Sequence, residues 1–424
     1  MNTIDLTAAY VMPTYGRQPI AIARGDGSWL WDEDGKKYLD FCTGIAVCAL
    51  GHCHPAMQAA LTGQAATLWH ASNLYHLRGQ AELAGFIVDE VMRLPGKVFF
   101  SNSGAEANDG LIKAARKFGH ARPMPDGTPR TLVLTFNQSF HGRTLGGIAA
   151  TGQAKVKDGF DPMLPGFRHL PFNDLDAAAA AMAGGEVAAV LVEPIQGEGG
   201  VNVASAAFLR GLRDLCRAHD ALLFFDEVQC GMGRLGEWRG WDALPGMDDD
   251  GLDPDGVSWA KGMGGGFPIG GFWLGNRPVG GDTPLPLHDI LGPGSHGSTY
   301  GGSPLASAVG LAVLKEIQQA GLLANTRRQG ARLRDGVLAL GSPMVCGVRG
   351  AGLLLGIALD PDVVQASTTL PPGPTPAMRV VTACRDHGLL VPPAGNETIR
   401  LLPPLNVSAA ECEAALRILK SVLV

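Results

Sequence analysis

The sequence has few charged residues, few aromatic residues and no excess of positive charge. Charged residues make up 17% and aromatic residues 6% of its 424 positions. Lys and Arg number 34 against 40 Asp and Glu, which gives a formal net charge of −6. Nucleic-acid-binding surfaces are usually clearly basic, so we expect no nucleic-acid partner. The 46% hydrophobic share suits a large buried core and argues against a disordered chain.

The sequence also lacks long apolar runs, a leader pattern and clustered cysteines. No run reaches the roughly 18 apolar residues of a membrane-spanning helix, so no membrane partner is predicted. The start, MNTIDLTAAYVMPTYGRQP, has no basic cluster followed by an apolar run, so no ordinary secretory signal is expected. The 8 cysteines are scattered, which argues against a disulfide framework and favours a reducing, cytoplasmic location.

Glycine, by contrast, is abundant: 59 of 424 residues, about twice the usual share. The glycines show no collagen period, so they indicate turns and close backbone approaches. At roughly 150 residues a domain, the length favours two or three domains.

Strand-like and helix-like segments alternate through most of the chain. Predicted strands lie at 98–101, 131–136, 187–192, 221–225, 257–260 and 271–274, with helices near 56–69, 79–92, 105–118 and 206–219. This alternation predicts an α/β fold with a mainly parallel sheet covered by helices.

The pattern changes at both ends of the chain. Residues 21–41 read as a hairpin around Asp34-Gly35. After 303 we predict a long helix at 304–338, a strand at 351–359, a helix at 376–388, short strands at 389–391 and 398–402, and a closing helix at 408–422. Surface loops are predicted at 242–256, 278–297 and 360–375. The predicted organisation is therefore an N-terminal segment, 1–55, packing with a smaller α+β domain, 304–424, and a large domain, 56–303, between them.

Polar residues follow the predicted strands where a parallel sheet binds its ligands. They are the segments 101–104 and 140–143, Glu193, Asp226 with Glu227, and Lys261. A single Asp or Lys at a strand end is usually a cap or a surface residue, but together these residues fit pyridoxal phosphate chemistry. A lysine can form a Schiff base with the cofactor aldehyde, and a carboxylate can keep the pyridine nitrogen protonated. A helix that begins at SGAEAN offers N–H groups to a phosphate.

Six motifs carry a family resemblance. NSGAEAN, SFHGRT, LVEPIQGEGG, FFDEVQCGMGR, AKGMGGGFPIG and HGSTYGG occur in this order, and together they resemble the class III aminotransferases of the type I pyridoxal phosphate fold. The resemblance runs from about residue 20 to the end. GIAVCALGHCHP, LWHASNLYH and RLLPPL are most similar to the acetylornithine aminotransferases. Departures occur at 242–256 and 278–293, where the chain looks longer.

The resemblance implies the residues that bind the cofactor. Lys261 would carry the Schiff base, Asp226 would pair with the pyridine nitrogen, Gln229 would lie near the phenolic oxygen and Phe140 would stack on the ring. The phosphate would be bound by Ser103, Gly104 and Ala105. Thr299 would reach the phosphate held by a neighbouring subunit, which implies a homodimer with composite sites.

The resemblance also implies the substrate contacts and the reaction. Arg143, Ser298 and Arg400 map to substrate-contact positions, and Glu198 maps to a switch residue that pairs with Arg400. Glutamate carries a carboxylate beside its reacting amine, whereas N2-acetylornithine reacts at a distal amine with none. A Glu198–Arg400 pair that opens for glutamate would serve both, and Arg143 would hold the far carboxylate. The implied reaction transfers this amine to 2-oxoglutarate, in arginine biosynthesis.

Other functions stay open at this point. Ornithine, succinylornithine and 4-aminobutyrate aminotransferases would use similar contacts. Gly231, Gly233 and Gly236 match the G-x-G-x-x-G pattern of nicotinamide oxidoreductases, but DEVQC separates them from the strand. Cys48, His52, Cys53 and His54 crowd together, but not at a zinc spacing, so no metal is predicted. A binding protein without activity is disfavoured, because Lys261 and its partners are all present.

Overall fold

A seven-stranded sheet forms the centre of the molecule. The computed structural model describes residues 2–247, 252–280 and 283–424. Across the sheet the strands run in the order Gly96–Ser101, Gly270–Gly275, Gly256–Trp259, Leu222–Asp226, Val187–Val192, Leu132–Phe136 and Phe167–Leu170. Gly270–Gly275 is antiparallel to both its neighbours, and the other neighbouring pairs are parallel. The predicted α/β fold is confirmed, but the four-residue edge strand Phe167–Leu170 was not predicted.

Helices cover the sheet because their apolar sides face it. Gly104–Ala121 and Ala206–Ala218 bury residues such as Leu111 and Leu209, while Val187–Val192 is buried throughout, as its apolar sequence predicts. The remaining helices of this part of the chain are Thr3–Tyr10, Thr43–Ala46, Pro55–Ala65, Arg78–Phe86, the π-helix Ile87–Met92, Leu145–Ala150 and Leu175–Met182. Short 3₁₀ turns lie at Ala154–Val156, Gly240–Ala243, Lys261–Met263 and Leu287–Asp289.

The single long helix predicted at 304–338 is wrong. The structure has two helices, Pro304–Gln319 and Leu322–Leu338, separated at Gly321, whose φ of 63° lies in the left-handed region. Glycine adopts this conformation without a steric penalty and so ends a helix. The predicted strand at 351–359 is likewise an antiparallel pair, Val345–Ala351 and Leu354–Leu359, and Thr398–Leu401 pairs with the second of them.

The two ends of the chain share a sheet. Ile22–Asp26, Trp29–Asp32 and Lys37–Asp40 form an antiparallel meander that includes the predicted Asp34-Gly35 turn. Leu389–Leu390 adds to this meander, parallel to Lys37–Asp40. The helices Pro376–Asp386 and Ala409–Leu423 complete the C-terminal part. The N-terminal strands therefore lie against C-terminal residues, while the domain boundaries at 55 and 303 stay predictions.

The predicted loops contain some regular structure. Residues 360–375 begin with the helix Pro361–Ala366, which Asp360 caps at its N-terminus. Asp followed by Pro is a helix-start signal, so the plain loop predicted there is wrong. Residues 278–297 include the paired strands Pro278–Val279 and Leu285–Pro286. Positions 248–251 and 281–282 of the predicted loops lie outside the described residues.

No helix in the described part of the chain is both long and apolar enough to cross a membrane.

Candidate active site

Lys261 projects into a cavity at the carboxyl edge of the sheet. It follows the strand Gly256–Trp259 and has a φ of 44°, a left-handed conformation that costs a non-glycine residue energy and recurs at active sites. The cavity has a volume of about 250 Å³. Its lining includes Gly104, Ala105, Phe140, Arg143, Glu198, Asp226, Gln229 and Lys261. Eight of the twelve predicted site residues therefore meet in one cavity.

Burial sets the chemical state of Lys261. Burial lowers the pKa of its amine, while the nearby Glu198 carboxylate opposes this effect. An amine with a lowered pKa spends more time neutral, and only the neutral form can act as a nucleophile or accept a proton.

Asp226 ends the strand Leu222–Asp226 and is held by three donors. Its Oδ2 accepts from Asn108 Nδ2 at 2.7 Å and lies 2.8 Å from His141 Nδ1, while its Oδ1 accepts from the backbone N–H of Val228 at 3.0 Å. Ser258 Oγ donates to Asn108 Oδ1 at 2.6 Å and so fixes the amide. These contacts hold the buried carboxylate in one orientation toward the cavity.

Two of these Asp226 partners add to the sequence prediction. Asn108 was not singled out, although it is the last residue of the NSGAEAN motif and one turn after Gly104. His141 was included only as part of the segment 140–143. The structure gives His141 a hydrogen bond to Asp226 and leaves its Nε2 buried without a partner in the described part of the chain.

Phe140 forms one wall of the cavity and is fixed by Glu193. The backbone N–H of Phe140 donates to Glu193 Oε2 at 3.1 Å. Burial raises the pKa of Glu193 well above its ordinary value, and the charge of Asp226 raises it further. Glu193 thus supports the aromatic wall rather than adding a second charge beside Asp226.

Glu198 and Arg400 form a two-pronged ion pair. Arg400 Nη1 donates to Glu198 Oε1 at 2.7 Å, and Nη2 donates to Oε2 at 3.0 Å. Gln229 bridges them: its Nε2 donates to Glu198 Oε1 at 3.1 Å, and its Oε1 accepts from Arg400 Nη1 at 3.0 Å. Burial acts to raise the pKa of Glu198, but the charge and hydrogen bonds of Arg400 outweigh it, and the pKa falls to about 2. The predicted pair therefore forms in the structure, with Arg400 itself 1% exposed.

A larger cleft leads to the cavity. It has a volume of about 870 Å³ and shares Phe140, Arg143 and Glu198 with the cavity around Lys261. The exposed guanidinium of Arg143 lies 5.5 Å from the centroid of the Phe140 ring. A substrate in this cleft would meet Arg143 before it reaches Lys261.

Four predicted residues line neither space. Arg400 reaches the cavity only through its contacts with Glu198 and Gln229. Ser103 is the N-cap of the helix Gly104–Ala121, where its Oγ accepts from the Glu106 N–H at 3.3 Å. Ser298 and Thr299 line a separate cavity of about 830 Å³, and Ser298 Oγ accepts from Asn102 Nδ2 at 3.2 Å. A single chain therefore does not bring Ser298 and Thr299 into the cavity around Lys261.

The residues present fit pyridoxal phosphate. The cavity combines a buried lysine, an anchored carboxylate and an aromatic wall with the first turn of the 18-residue helix Gly104–Ala121. That turn has N–H groups available for a phosphate. At Gly104 a Cβ would lie 2.6 Å from Val228 Cγ1, so only glycine permits this close approach.

The structure gives the rival readings little support. The segment with Gly231, Gly233 and Gly236 forms buried turns rather than a strand-to-helix loop, and a Cβ at Gly233 would lie 3.0 Å from Leu323 Cδ2. His52 pairs with Asp40, and His54 caps the helix Pro55–Ala65. Within residues 2–247, 252–280 and 283–424, no group of three or more His, Cys, Asp or Glu side chains is arranged to hold a metal ion.

Comparison with known proteins identifies the family. The model of the family "Aminotransferase class-III" matches residues 10–423. The acetylornithine aminotransferase of Synechocystis sp. is 43% identical, covering 98% of this chain and 91% of the relative. That of Prochlorococcus marinus is 44% identical, covering 97% and 93%.

Solved structures agree with this assignment. The N-acetylornithine aminotransferase from Stenotrophomonas maltophilia is similar with a TM-score of 0.79 and 35% identity, covering 99% of this chain and 98% of that one. The ornithine aminotransferase from Toxoplasma gondii has a TM-score of 0.87 and 30% identity, covering 99% and 94%. The chain therefore belongs to the class III aminotransferases, which are pyridoxal-phosphate-dependent enzymes.

Proposed function

We propose that this aminotransferase transfers the distal amino group of N2-acetylornithine to 2-oxoglutarate, a step of arginine biosynthesis. The observation that carries the proposal is the two-pronged Glu198–Arg400 pair at the wall of the Lys261 cavity. The full-length relatives named acetylornithine aminotransferase support the same substrate. We also propose a cytoplasmic location.

The residues of the cavity have separate roles in binding the cofactor and in moving the proton. Pyridoxal phosphate, when bound, supplies an aldehyde that joins covalently to amines and a ring that withdraws electrons from the carbon beside the amine. Gly104 and Ala105 would hold the phosphate through their N–H groups, with Ser103 at the same helix terminus. Phe140 would support the ring face, Gln229 would interact with the phenolic oxygen and Asp226 would keep the pyridine nitrogen protonated. Once the substrate amine takes its place, the neutral Nζ of Lys261 would take the proton from the substrate carbon beside the amine and deliver it to the cofactor carbon that receives the nitrogen.

The Glu198–Arg400 pair selects between the two substrates. While N2-acetylornithine reacts, Glu198 masks the Arg400 charge, so no buried cation is left unpaired beside an apolar chain. When glutamate binds, its carboxylate next to the reacting amine replaces Glu198 on Arg400. Arg143 holds the more distant carboxylate in the cleft, since a guanidinium binds a carboxylate through two parallel hydrogen bonds. Ser298 lines a separate cavity of its own chain, so it would add to this contact only from the second subunit of the dimer proposed below.

Replacing Glu198 with alanine tests the switch. Glu198→Ala leaves Arg400 unmasked, so we expect the glutamate half-reaction to keep or exceed its rate. We expect the acetylornithine half-reaction to slow by about tenfold or more, because a buried cation now lacks its partner. Single-turnover absorbance measurements of each half-reaction give both rates. The matched control is Glu397→Ala, which removes an exposed carboxylate from the same cleft. Equal losses in both half-reactions of Glu198→Ala would refute the switch.

We further propose that the enzyme is a homodimer with composite active sites. Thr299 lines a cavity separate from Lys261, at a surface where large apolar side chains are exposed. These are Leu74 at 88%, Tyr75 at 69%, Trp69 at 66% and Tyr300 at 64% exposure. Exposed apolar surface of this kind usually marks a protein interface, and a two-fold dimer gives both subunits the same contact. Thr299 would then reach the phosphate bound by the partner.

A subunit-mixing experiment tests the composite site. Lys261→Ala and Thr299→Arg are each expected to be inactive as pure proteins. After the two are unfolded and refolded together, a mixed dimer has one site with both defects and one intact site. Activity should return, up to about half of the normal value per mixed dimer. If Thr299 instead serves the site of its own chain, every site keeps one defect and mixing restores nothing.

A further inference from the structure

Arg234 is a buried cation that has no role in the reaction as proposed so far. Its side chain is 3% exposed, and it forms no ion pair within the described part of the chain. Burial lowers the pKa of its guanidinium to about 10, so the group is still charged at neutral pH. A buried charge without a counter-ion lowers stability, whereas an apolar side chain of similar length would fill the space without this cost. Arg234 is therefore expected to do something that an apolar residue cannot.

The guanidinium of Arg234 joins two segments of the C-terminal part of the chain. Its Nη1 donates to the backbone oxygens of Leu353 and Pro403. The backbone oxygen of Arg234 in turn accepts from the N–H of Leu353 at 3.0 Å. Leu353 comes directly before the strand Leu354–Leu359, and Pro403 comes two residues after the strand Thr398–Leu401. Arg234 thus contacts both segments at the end where the pairing of the two strands stops.

The sequence explains why a side chain is needed at this end of the strand pair. The two strands are antiparallel with Leu355 opposite Leu401, so the same register would place Leu353 opposite Pro403. Proline has no backbone N–H and cannot donate to the oxygen of Leu353. The Nη1 of Arg234 supplies a donor to both backbone oxygens instead. This contact holds the two strands in register where their own hydrogen bonds end.

The strand Thr398–Leu401 carries Arg400, three residues before Pro403. Arg400 Nη1 also donates to Gln229 Oε1 at 3.0 Å, and Gln229 belongs to the same turn as Arg234. This turn therefore contacts the Arg400 segment at two points. One contact is made to the guanidinium of Arg400, and the other is made to the backbone that follows it.

The position of Arg400 matters most when Glu198 leaves it. While the ion pair is intact, Arg400 donates two hydrogen bonds to Glu198, and these help to hold the guanidinium in place. When the carboxylate of glutamate replaces Glu198, the other contacts of the guanidinium are those to Gln229 Oε1 and Pro393 O. The strand must then present Arg400 at the correct place. A displaced strand is expected to weaken the binding of glutamate and 2-oxoglutarate, but not that of N2-acetylornithine.

We propose that Arg234 is a positioning residue, which holds the strand Thr398–Leu401 where Arg400 can receive the carboxylate beside the reacting centre of glutamate and 2-oxoglutarate. The inference rests on the proposed function, because that function assigns this carboxylate to Arg400. Arg234 lines neither the cavity around Lys261 nor the cleft that leads to it, so it acts through the backbone and not by touching the substrate.

Replacing Arg234 with methionine tests the proposal, because methionine keeps a long apolar stem but has no donor. Single turnovers of the holoenzyme would give an apparent Kd and a maximal rate with glutamate, with 2-oxoglutarate and with N2-acetylornithine. In Arg234→Met we expect the Kd for glutamate and for 2-oxoglutarate to rise about tenfold, because a two-pronged contact with a carboxylate depends on exact placement. We expect the Kd for N2-acetylornithine to change by less than about twofold. An equal rise for all three substrates, or no rise for the first two, would overturn the proposal.

Arg379→Met is the matched control. Arg379 is 7% exposed, and its guanidinium donates to backbone oxygens within the described part of the chain, namely those of Val364, Gln365, Ser367, Leu370 and Pro371. None of these residues lines the cavity or the cleft. We expect Arg379→Met to lower the unfolding temperature at least as much as Arg234→Met does, and to change each Kd by less than about twofold. A selective loss of glutamate and 2-oxoglutarate binding in Arg379→Met would contradict a specific role of Arg234.

Arg234→Lys keeps the proposal testable if Arg234→Met does not fold. Lysine keeps the charge but replaces the planar guanidinium with a single amine, so we expect a smaller rise of about threefold in the Kd for glutamate and 2-oxoglutarate. Unchanged values in Arg234→Lys would contradict the proposal. If the panel of donors shows another donor to be preferred, the proposed substrate is wrong, and that donor replaces N2-acetylornithine in these measurements. Failure of the present inference would show instead in the Kd for glutamate, which all these reactions share.

Discussion

Lys261→Ala is expected to lower kcat by about 10⁴-fold or more, because it removes the amine that we propose both holds the cofactor and moves the proton. We expect the fold to survive. Burial lowers the pKa of Lys261, because the folded state disfavours the charged amine. At any pH below the ordinary lysine pKa, the buried amine therefore lowers the free energy of unfolding. Alanine has no charge to bury, so the substitution removes this destabilising effect.

Two further measurements make the Lys261 result specific. Lys97→Ala is the control, since it removes a mostly exposed lysine that pairs with Asp289 away from the cavity. A small external amine such as methylamine should restore part of the lost rate in Lys261→Ala but leave Lys97→Ala unchanged. Near-normal turnover in Lys261→Ala would contradict the assignment of this residue.

Asp226→Asn is expected to lower kcat by about 10² to 10⁴-fold while cofactor binding persists. The amide keeps the shape of the side chain but carries no negative charge, so the pyridine nitrogen would lose the partner that we propose keeps it protonated. Since the amide NH₂ must replace one oxygen, one of the donors Asn108, His141 and the Val228 N–H loses its acceptor. That loss is expected to cost about 1–3 kcal/mol of stability.

Asp255→Asn is the control that separates the loss of turnover from the loss of stability in Asp226→Asn. Asp255 Oδ2 also accepts from a backbone N–H, that of Leu223 at 2.9 Å. Asp255 comes directly before the strand Gly256–Trp259, so it lies at the amino ends of the parallel strands, opposite the cavity around Lys261. We expect Asp255→Asn to lose a similar amount of stability and to keep its turnover. If Asp226→Asn were also to keep its turnover, the role of Asp226 at the pyridine nitrogen would be wrong.

Asp226 and Lys261 can be predicted from the sequence because the pattern of residues around each is sufficient. Asp226 and Lys261 each follow a short apolar strand, and parallel strands place such residues at one edge of the sheet. Gly104, which lines the cavity, can also be predicted from local sequence, because it begins a helix directly after a strand.

Other features depend on contacts between distant parts of the chain. Asn108 forms a hydrogen bond with Asp226, which lies 118 positions away in the sequence, and Arg400 pairs with Glu198, which lies 202 positions away. The Asn108 contact exists only because a helix packs on a particular strand, so no local pattern reveals it; the Glu198–Arg400 pair was predicted only through the family resemblance. The break at Gly321 was missed because helix-forming residues flank it on both sides. The role proposed for Thr299 requires a second chain, which a single sequence does not describe.

A panel of amino donors tests the proposed substrate most directly. Purified holoenzyme would be assayed with 2-oxoglutarate and, in turn, N2-acetylornithine, N2-succinylornithine, ornithine and 4-aminobutyrate, and the donors ranked by kcat/KM. We expect N2-acetylornithine to rank first, by about tenfold or more over ornithine and 4-aminobutyrate, which lack an acylated α-amine. A higher kcat/KM for any of the other three donors would contradict the proposed function.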